Sequence, residues 1–345
     1  MIEDHLRETF ARHEPVVPPA APLRAAIDQA ARSRRRRRFR TRLAGAALAV
    51  VAAVSAPFAL RDAVDPPALD QALLPGSTPA VTRPLTLLVL GVDDDGGRSY
   101  RADTVLVVHV PAGGSTAYLV SLPRDLLVEI PGMGRARLGE AFFFGSRGAR
   151  PPDLAAGAAL TARTVAATTG VPVDGTVTVT FSGLRAVTDA LGGVNVCLDR
   201  QVTSRHTGRS FPAGCQRLDG RDALDLLRQR YGLPHGAYDR DANGRAFVRG
   251  LLERGDVLAD PVRLTRLSRA VAHGVTVAGT DLSTAQLLGV AAGVDGVVSV
   301  DIGSHYRGVT IDGVEYERLD ETRSRPVFAA IRENRLAEWA AANGP

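Results

Sequence analysis

LTLLVLGVDDDGGRSYRADTVLVVHV, residues 85–110, decides how this chain folds. Leu85–Val92 and Thr104–Val110 are short, continuous apolar runs rich in β-branched residues, and a third, TAYLVSL at Thr116–Leu122, follows closely. Such runs suit strands covered on both faces of a sheet. Between the first two lies a polar loop that begins with Asp93, Asp94 and Asp95 and ends with Arg101, Ala102 and Asp103. Asp93 and Asp103 therefore flank one loop at the same end of two neighbouring strands. Strand ends of open α/β sheets are where ligands collect.

Further along, Asp153–Thr169 is Ala-rich with helical periodicity, and Asp153 suits an N-cap. VTVTF at 177–181 reads as a strand, followed by a helix from Ser182 to Leu191 and a break at Gly192-Gly193. Leu218–Arg230 and parts of 243–256, 261–272 and 281–292 read as helices. VVSVDI (297–302) and GVTID (308–312) read as late strands, and a terminal helix is expected over 323–341. No internal repeat is visible. Strands interleaved with helices predict an α/β-type sandwich in one domain over residues 85–340.

The N-terminal region carries a different signal. Arg32, Arg34 to Arg38, Arg40 and Arg42 stand directly before Leu43–Leu60, LAGAALAVVAAVSAPFAL, which contains no charge. A helix of this length spans a bilayer core of roughly 30 Å. Arg on its N-terminal side keeps that side in the cytoplasm. A cleaved signal peptide also has a basic start and an apolar core, but this apolar run begins late and is long for that role. The expected organisation is a basic cytoplasmic tail (1–42), a transmembrane helix (43–60), a Pro-rich extracytoplasmic stalk (61–84) and the extracytoplasmic domain. Localisation would then be the cell membrane, single-pass.

Charge distribution supports this division. Residues 1–42 hold eleven Arg against five Asp and Glu, a net of +6; the whole chain is +5, so the remaining 303 residues sum to −1. The sequence pI near 9.7 thus comes from the tail and says nothing about nucleic acid binding by the domain. The two cysteines, Cys197 and Cys215, bracket a polar, Gly- and Pro-punctuated stretch. In an oxidising compartment they are expected to form a disulfide.

Candidate chemistry gathers at the strand ends. Ser121-Leu122-Pro123-Arg124-Asp125 closes the third strand, Arg228-Gln229-Arg230 ends a helix, and Asp239-Arg240 follows a loop containing Gly232, Pro234 and Gly236. Paired carboxylates suit a hard cation such as Mg²⁺, which keeps part of its shell for substrate phosphates. Several guanidinium forks suit a diphosphate. Spacing alone also allows a solvated acidic turn and ordinary surface arginines. Nucleophilic Ser or Cys catalysis is unsupported, because no His pairs visibly with a Ser. His109 alternates with apolar neighbours and reads as a sheet residue. Neither a metal-binding Cys/His spacing nor a nucleotide-binding glycine motif is present.

LLVLGVDDDGGRSYRADTVLVVHV, YLVSLPRDLLVEIPG, FSGLRAVTDALGGVNVCL and FPAGCQRLDGRDALDLLRQRYGLPHGAYDR, in this order, resemble the LytR–CpsA–Psr (LCP) family over residues 85–255, and more weakly to 335. The version with Cys is similar to actinobacterial members. The resemblance implies a mixed central sheet flanked by helices, the family's α-β-α sandwich, preceded by one transmembrane helix. It also implies a membrane-anchored phosphotransferase that moves a glycopolymer from a polyprenyl diphosphate carrier onto peptidoglycan, forming a phosphodiester. Carried onto this sequence, Asp93 and Asp103 would hold Mg²⁺ (or Mn²⁺). Arg101, Arg124, Arg228, Arg230 and Arg240 would bind the diphosphate. Arg101, Asp103, Arg124 and Asp125 would form the catalytic set, with Asp103 or Asp125 as proton acceptor. The family's apolar groove would take the prenyl tail, and Phe142, Phe143 and Phe144 either line it or pack the core. Membrane, peptidoglycan and the carrier-linked polymer are the implied partners; nucleic acid is not.

Two segments depart from the family. Many relatives carry an Arg-Gln-Gln-like segment where this chain reads AYDRDANGRAF (237–247): Arg240 has a counterpart, whereas Ala242, Asn243 and Gly244 do not, and Arg245 lies at another helical phase. A Lys-x-Asn-type segment is replaced by Arg137-Leu138-Gly139-Glu140, which brings a negative charge near the expected phosphates. The alternative reading is therefore a catalytically weakened protein that binds polyprenyl diphosphate and scaffolds or regulates wall assembly. A third is a hydrolase using water as acceptor at the same site.

Overall fold

The computed structural model describes residues 81–94, 100–149, 151–229, 233–234, 236–254, 261–302 and 305–343. The expected basic tail, the apolar segment 43–60 and the stalk as far as residue 80 lie outside them. Among the described residues no helix is long and apolar enough to cross a membrane.

The chain opens with β1 (Leu85–Val92), β2 (Ala102–Val110) and β3 (Thr116–Leu122), then a hairpin of β4 (Leu127–Ile130) and β5 (Gly134–Arg137). Helices α1 (Leu138–Ser146) and α2 (Leu154–Thr169) precede β6 (Gly175–Thr180) and α3 (Phe181–Ala190). Next come β7 (Val194–Leu198), β8 (Val202–Thr203), β9 (Ser210–Phe211), β10 (Gly214–Leu218) and α4 (Gly220–Leu227). Helices α5 (Ala237–Leu252) and α6 (Pro261–Gly274) lead to β11 (Val275–Ala278), α7 (Thr284–Ala292) and β12 (Gly296–Val300). The chain finishes with β13 (Tyr306–Ile311), β14 (Val314–Leu319), α8 (Glu321–Arg332) and α9 (Leu336–Asn343).

Six strands form the central sheet in the order β11-β6-β1-β2-β3-β12. The β1–β6 and β3–β12 pairs are parallel and the others antiparallel. The sheet is thus mixed, as the resemblance implied, and the ends of β1, β3, β6 and β12 share one edge with the start of β2. Side chains alternate between two cores. Leu88, Leu90, Val92, Val105, Val107, Val120 and Leu122 pack with Phe142 of α1, Leu160 and Val165 of α2, and Phe328 and Ile331 of α8. Leu106, Val108, Ala117 and Leu119 face the other way, toward Val248 and Leu252 of α5 and Val290 of α7. Helices therefore cover both faces, and the near-continuous burial of β2 and β3 follows from that. A third cluster, including Val194, Val196, Leu218, Leu226, Phe211 and Phe247, joins β7 and β10 to α4 and α5.

Several boundaries differ from expectation. The expected terminal helix over 323–341 is two helices, because Asn334 takes a left-handed φ of 56° and Arg335 N–H returns to Ala330 O at 2.7 Å, a helix-ending arrangement that Asn tolerates. The expected helix over Leu218–Arg230 is shorter, because Leu218 completes β10 and Asp219 caps α4 through Asp222 N–H at 2.9 Å. Helix α5 begins at Ala237, ahead of the expected 243, so Arg240, which follows the loop, already sits within the helix. Phe142 is fully buried in the core, while Phe144 only packs against it.

Cys197 and Cys215 are directly opposed on β7 and β10 and form the expected disulfide, 18 residues apart in sequence. Closing a loop of this size removes unfolded-state entropy worth about 3 kcal/mol. The Cys197→Ser, Cys215→Ser protein should accordingly lose about 3 kcal/mol of stability, read from its denaturant midpoint.

Candidate active site

Backbone irregularity builds the site. Gly91 pairs with Thr104 but Val92 pairs with Ala102, so Asp103 is the extra residue of a β-bulge in β2. A bulge re-aims a side chain at a strand end. The bulged Asp103 meets Arg124, which follows β3: Arg124 Nη1 donates to Asp103 Oδ1 in a short contact. Arg124 Nε also donates to Asp125 Oδ2 at 3.3 Å. Burial opposes charge on Arg124, but Asp103 and Asp125 more than offset it and raise its pKa above the usual value. Arg137 stands 3.4 Å from the other oxygen of Asp125, so two guanidiniums and two carboxylates form a chain at the sheet edge.

The loop carrying Arg124 is held through its own carbonyls. Gly139 N–H donates to Arg124 O at 2.8 Å, Leu138 N–H to Leu126 O at 2.8 Å, and Glu317 N–H to Asp125 O at 2.9 Å. Gly139 is required here: a Cβ built on it would lie 2.7 Å from Ala102 O and 3.2 Å from Arg124 Cβ. Glu140 Oε2 accepts from Arg137 N–H at 3.2 Å, so the unexpected acid satisfies a backbone donor at the start of α1.

Asp93 follows β1, and its N–H donates to Arg101 O at 3.3 Å. Arg101 is exposed. Asp94 accepts from Ser182 N–H at 3.3 Å and from its hydroxyl, which ties the β1 loop to the start of α3. Arg228, the C-cap of α4, lays its guanidinium 5.1 Å from the centre of the Phe181 ring, bringing α4 toward the same edge. Arg230 and Asp95 lie outside the described residues.

Arg240 is only 5% exposed and donates to Asp241 Oδ1 from Nη2 at 3.1 Å. Burial raises the pKa of Asp241, against the pull of Arg240 and Arg245. Arg240 is thus anchored by an acid that the sequence reading did not select. Arg245 stands 3.8 Å from Asp301 after β12. Also missed were Tyr238, whose hydroxyl donates to Glu317 Oε2 at 2.9 Å, and Tyr306, whose hydroxyl donates to Ser121 O at 3.3 Å. Partners about 80 and 185 residues distant in sequence leave no local spacing signal. His109 is buried at the opposite end of the β1–β2 pair beside Thr86, its Nδ1 3.0 Å from Thr86 Oγ1. Burial lowers its pKa, consistent with a neutral sheet residue.

Gln229, between Arg228 and Arg230, is fully buried. It accepts from Arg205 N–H at 3.0 Å and donates to Ser204 Oγ at 2.9 Å. Ser204 in turn donates to Asp225 of α4 at 2.7 Å. The excursion between the two cysteines is therefore fastened to the helix that carries Arg228.

Among the described residues no group of three or more His, Cys, Asp or Glu side chains forms a metal cluster. Asp93 and Asp103 offer oxygen donors beside one loop, a partial set that fits Mg²⁺ because this ion takes one or two carboxylates plus water and substrate phosphates.

Residues 60–332 match the model of the LytR_cpsA_psr family. The chain is 34% identical over 193 residues to the cell wall biosynthesis protein LcpA of Corynebacterium glutamicum, a match covering 51% of this chain and 37% of that protein. It is 31% identical over 244 residues to the polyisoprenyl-teichoic acid–peptidoglycan teichoic acid transferase TagU of Enterococcus faecalis, covering 69% and 75% of the two chains. Among solved structures, TagT bound to LIIa-WTA superposes with a TM-score of 0.59 at 22% identity, over 74% of this chain and 92% of that one. The crystal structure of Bacillus subtilis TagU gives a TM-score of 0.56 at 23% identity, over 73% and 96%. At these identities the superpositions speak for the fold.

Proposed function

The chain belongs to the LytR–CpsA–Psr family, and from that premise we propose that it transfers a glycopolymer from a polyprenyl diphosphate carrier to peptidoglycan. The observation that carries this reading is Arg124, fixed by Asp103 and Asp125 at the edge where β1, β3 and β6 end. A guanidinium held on both sides at a strand end is a preorganised donor for charge that builds on a transferring phosphoryl group.

In this mechanism a peptidoglycan sugar hydroxyl attacks the phosphorus that bears the glycopolymer. The bond from that phosphorus to the bridging oxygen breaks, and polyprenyl phosphate leaves with the electron pair. Arg101, Arg124, Arg228, Arg230 and Arg240 would hold the phosphate oxygens. The hydroxyl proton passes to a carboxylate, Asp103 or Asp125. Asp93 and Asp103 would hold Mg²⁺ or Mn²⁺, which when bound supplies charge neutralisation for the diphosphate. The N-terminal 42 residues would lie in the cytoplasm and residues 43–60 in the membrane, with the domain outside beside the lipid carrier.

The full chain in detergent should release polyprenyl phosphate from a polyprenyl-diphosphate-linked oligosaccharide only when peptidoglycan fragments are supplied. Release into water without acceptor indicates a hydrolase. Tight lipid binding with no release under either condition indicates the binding protein that the altered 241–245 segment favours.

A further inference from the structure

Two arms of the candidate site come from distant parts of the chain. Arg124 sits on the loop after β3, and Arg240 on the first turns of α5. One residue of β14 touches both. Glu317 N–H donates to Asp125 O at 2.9 Å, and its Oε2 accepts from the Tyr238 hydroxyl at 2.9 Å, two residues before Arg240. Leu126 forms an isolated parallel bridge with the same Glu317. Beside it, the Tyr238 and Tyr306 rings stack with centroids 6.4 Å apart, and the buried Tyr306 hydroxyl donates to Ser121 O at 3.3 Å, just before the loop. Arg137 fixes the rest of the hairpin: Nη2 donates to Glu315 O at 2.8 Å, and its guanidinium lies 5.3 Å from the Tyr316 ring centre. Burial and Glu317 both raise the Tyr238 pKa, so its hydroxyl stays a donor across the working pH range.

We propose that Tyr238 and Glu317 are a positioning pair that sets the separation between the Arg124 loop and the Arg240 helix, so that both phosphates of a lipid diphosphate are engaged together. The pair does not touch substrate; it acts through the two arginines. The inference rests on the diphosphate-binding part of the proposed function.

The test measures binding of geranylgeranyl diphosphate and geranylgeranyl phosphate to the full chain in detergent. Tyr238→Phe and Glu317→Ala should each weaken diphosphate binding about tenfold, the scale of one lost hydrogen bond to a charged acceptor. Monophosphate binding, which needs only one arm, should stay within about twofold. Glu317→Gln keeps an acceptor oxygen and should preserve diphosphate affinity within about twofold. The double variant should be no weaker than either single one, because both remove the same bond. Wild-type diphosphate affinity in Tyr238→Phe, or equal loss for both lipids, overturns the pair. Binding of geranylgeranyl diphosphate by the wild type, with no transfer from a polyprenyl-diphosphate-linked oligosaccharide to peptidoglycan fragments, overturns the transferase and leaves the pair standing; no wild-type binding overturns both.

Discussion

Arg124→Ala should lower transfer by at least about 10³-fold, the scale of removing an arginine from a phosphoryl-transfer site. The loss has two parts. The fork that meets the phosphate is gone, and Asp103 and Asp125 lose their common partner. These side chains are only 20% and 28% exposed, so their unneutralised charges would face an incoming diphosphate. Arg124→Lys should not restore the rate, since an ammonium does not reproduce the planar fork that spans two carboxylates. Initial rates of polyprenyl phosphate release check this. Activity within about tenfold of wild type in Arg124→Ala would remove this residue from the phosphoryl-transfer step.

Gly139→Ala should have the next largest effect. The added methyl would lie 2.7 Å from Ala102 O and 3.4 Å from Arg124 O, backbone atoms that cannot swing aside. It would wedge apart the strand start carrying Asp103 and the loop carrying Arg124, and weaken the 2.8 Å bond from Gly139 N–H to Arg124 O. A shift approaching 1 Å at the reacting groups costs about 10²-fold in kcat/KM, with about 1–3 kcal/mol of stability from overpacking. Gly308 is the matched control: it lies exposed on β13 with no atom within 4 Å of a built Cβ. Gly308→Ala should leave both quantities nearly unchanged.

The parts of this fold that could be read in advance are those in which one strand or helix carries its own signal. The apolar runs of β1, β2 and β3 announce strands covered on both sides, and that is how they lie. Asp153 announces the start of α2 and accepts from Ala156 N–H at 2.9 Å as its N-cap. The meeting of Asp103 with Arg124 follows from two strand ends on one edge, which order along the chain suggests. The β-bulge that turns Asp103 inward was not legible, because it depends on register between β1 and β2 rather than on composition. Helix α1 and the β4–β5 hairpin were also missed: Leu127–Arg137 is short and mixed, and the bridge that ties Leu126, just before it, to Glu317 of β14 is a tertiary contact. The Tyr238–Glu317 link joins segments 79 residues apart, so only the folded chain brings them together; Asp241 is adjacent to Arg240, but nothing local in the sequence marks that pair as buried.

The most direct test of the transferase is the chemical linkage in its product. Full-length protein in detergent, supplied with a polyprenyl-diphosphate-linked oligosaccharide, peptidoglycan fragments and Mg²⁺, should yield a conjugate whose mass corresponds to oligosaccharide and peptidoglycan joined through one phosphate, with polyprenyl phosphate released and neither product formed by Arg124→Ala. A free phosphorylated oligosaccharide, or intact lipid bound to the protein with no conjugate, would contradict the account.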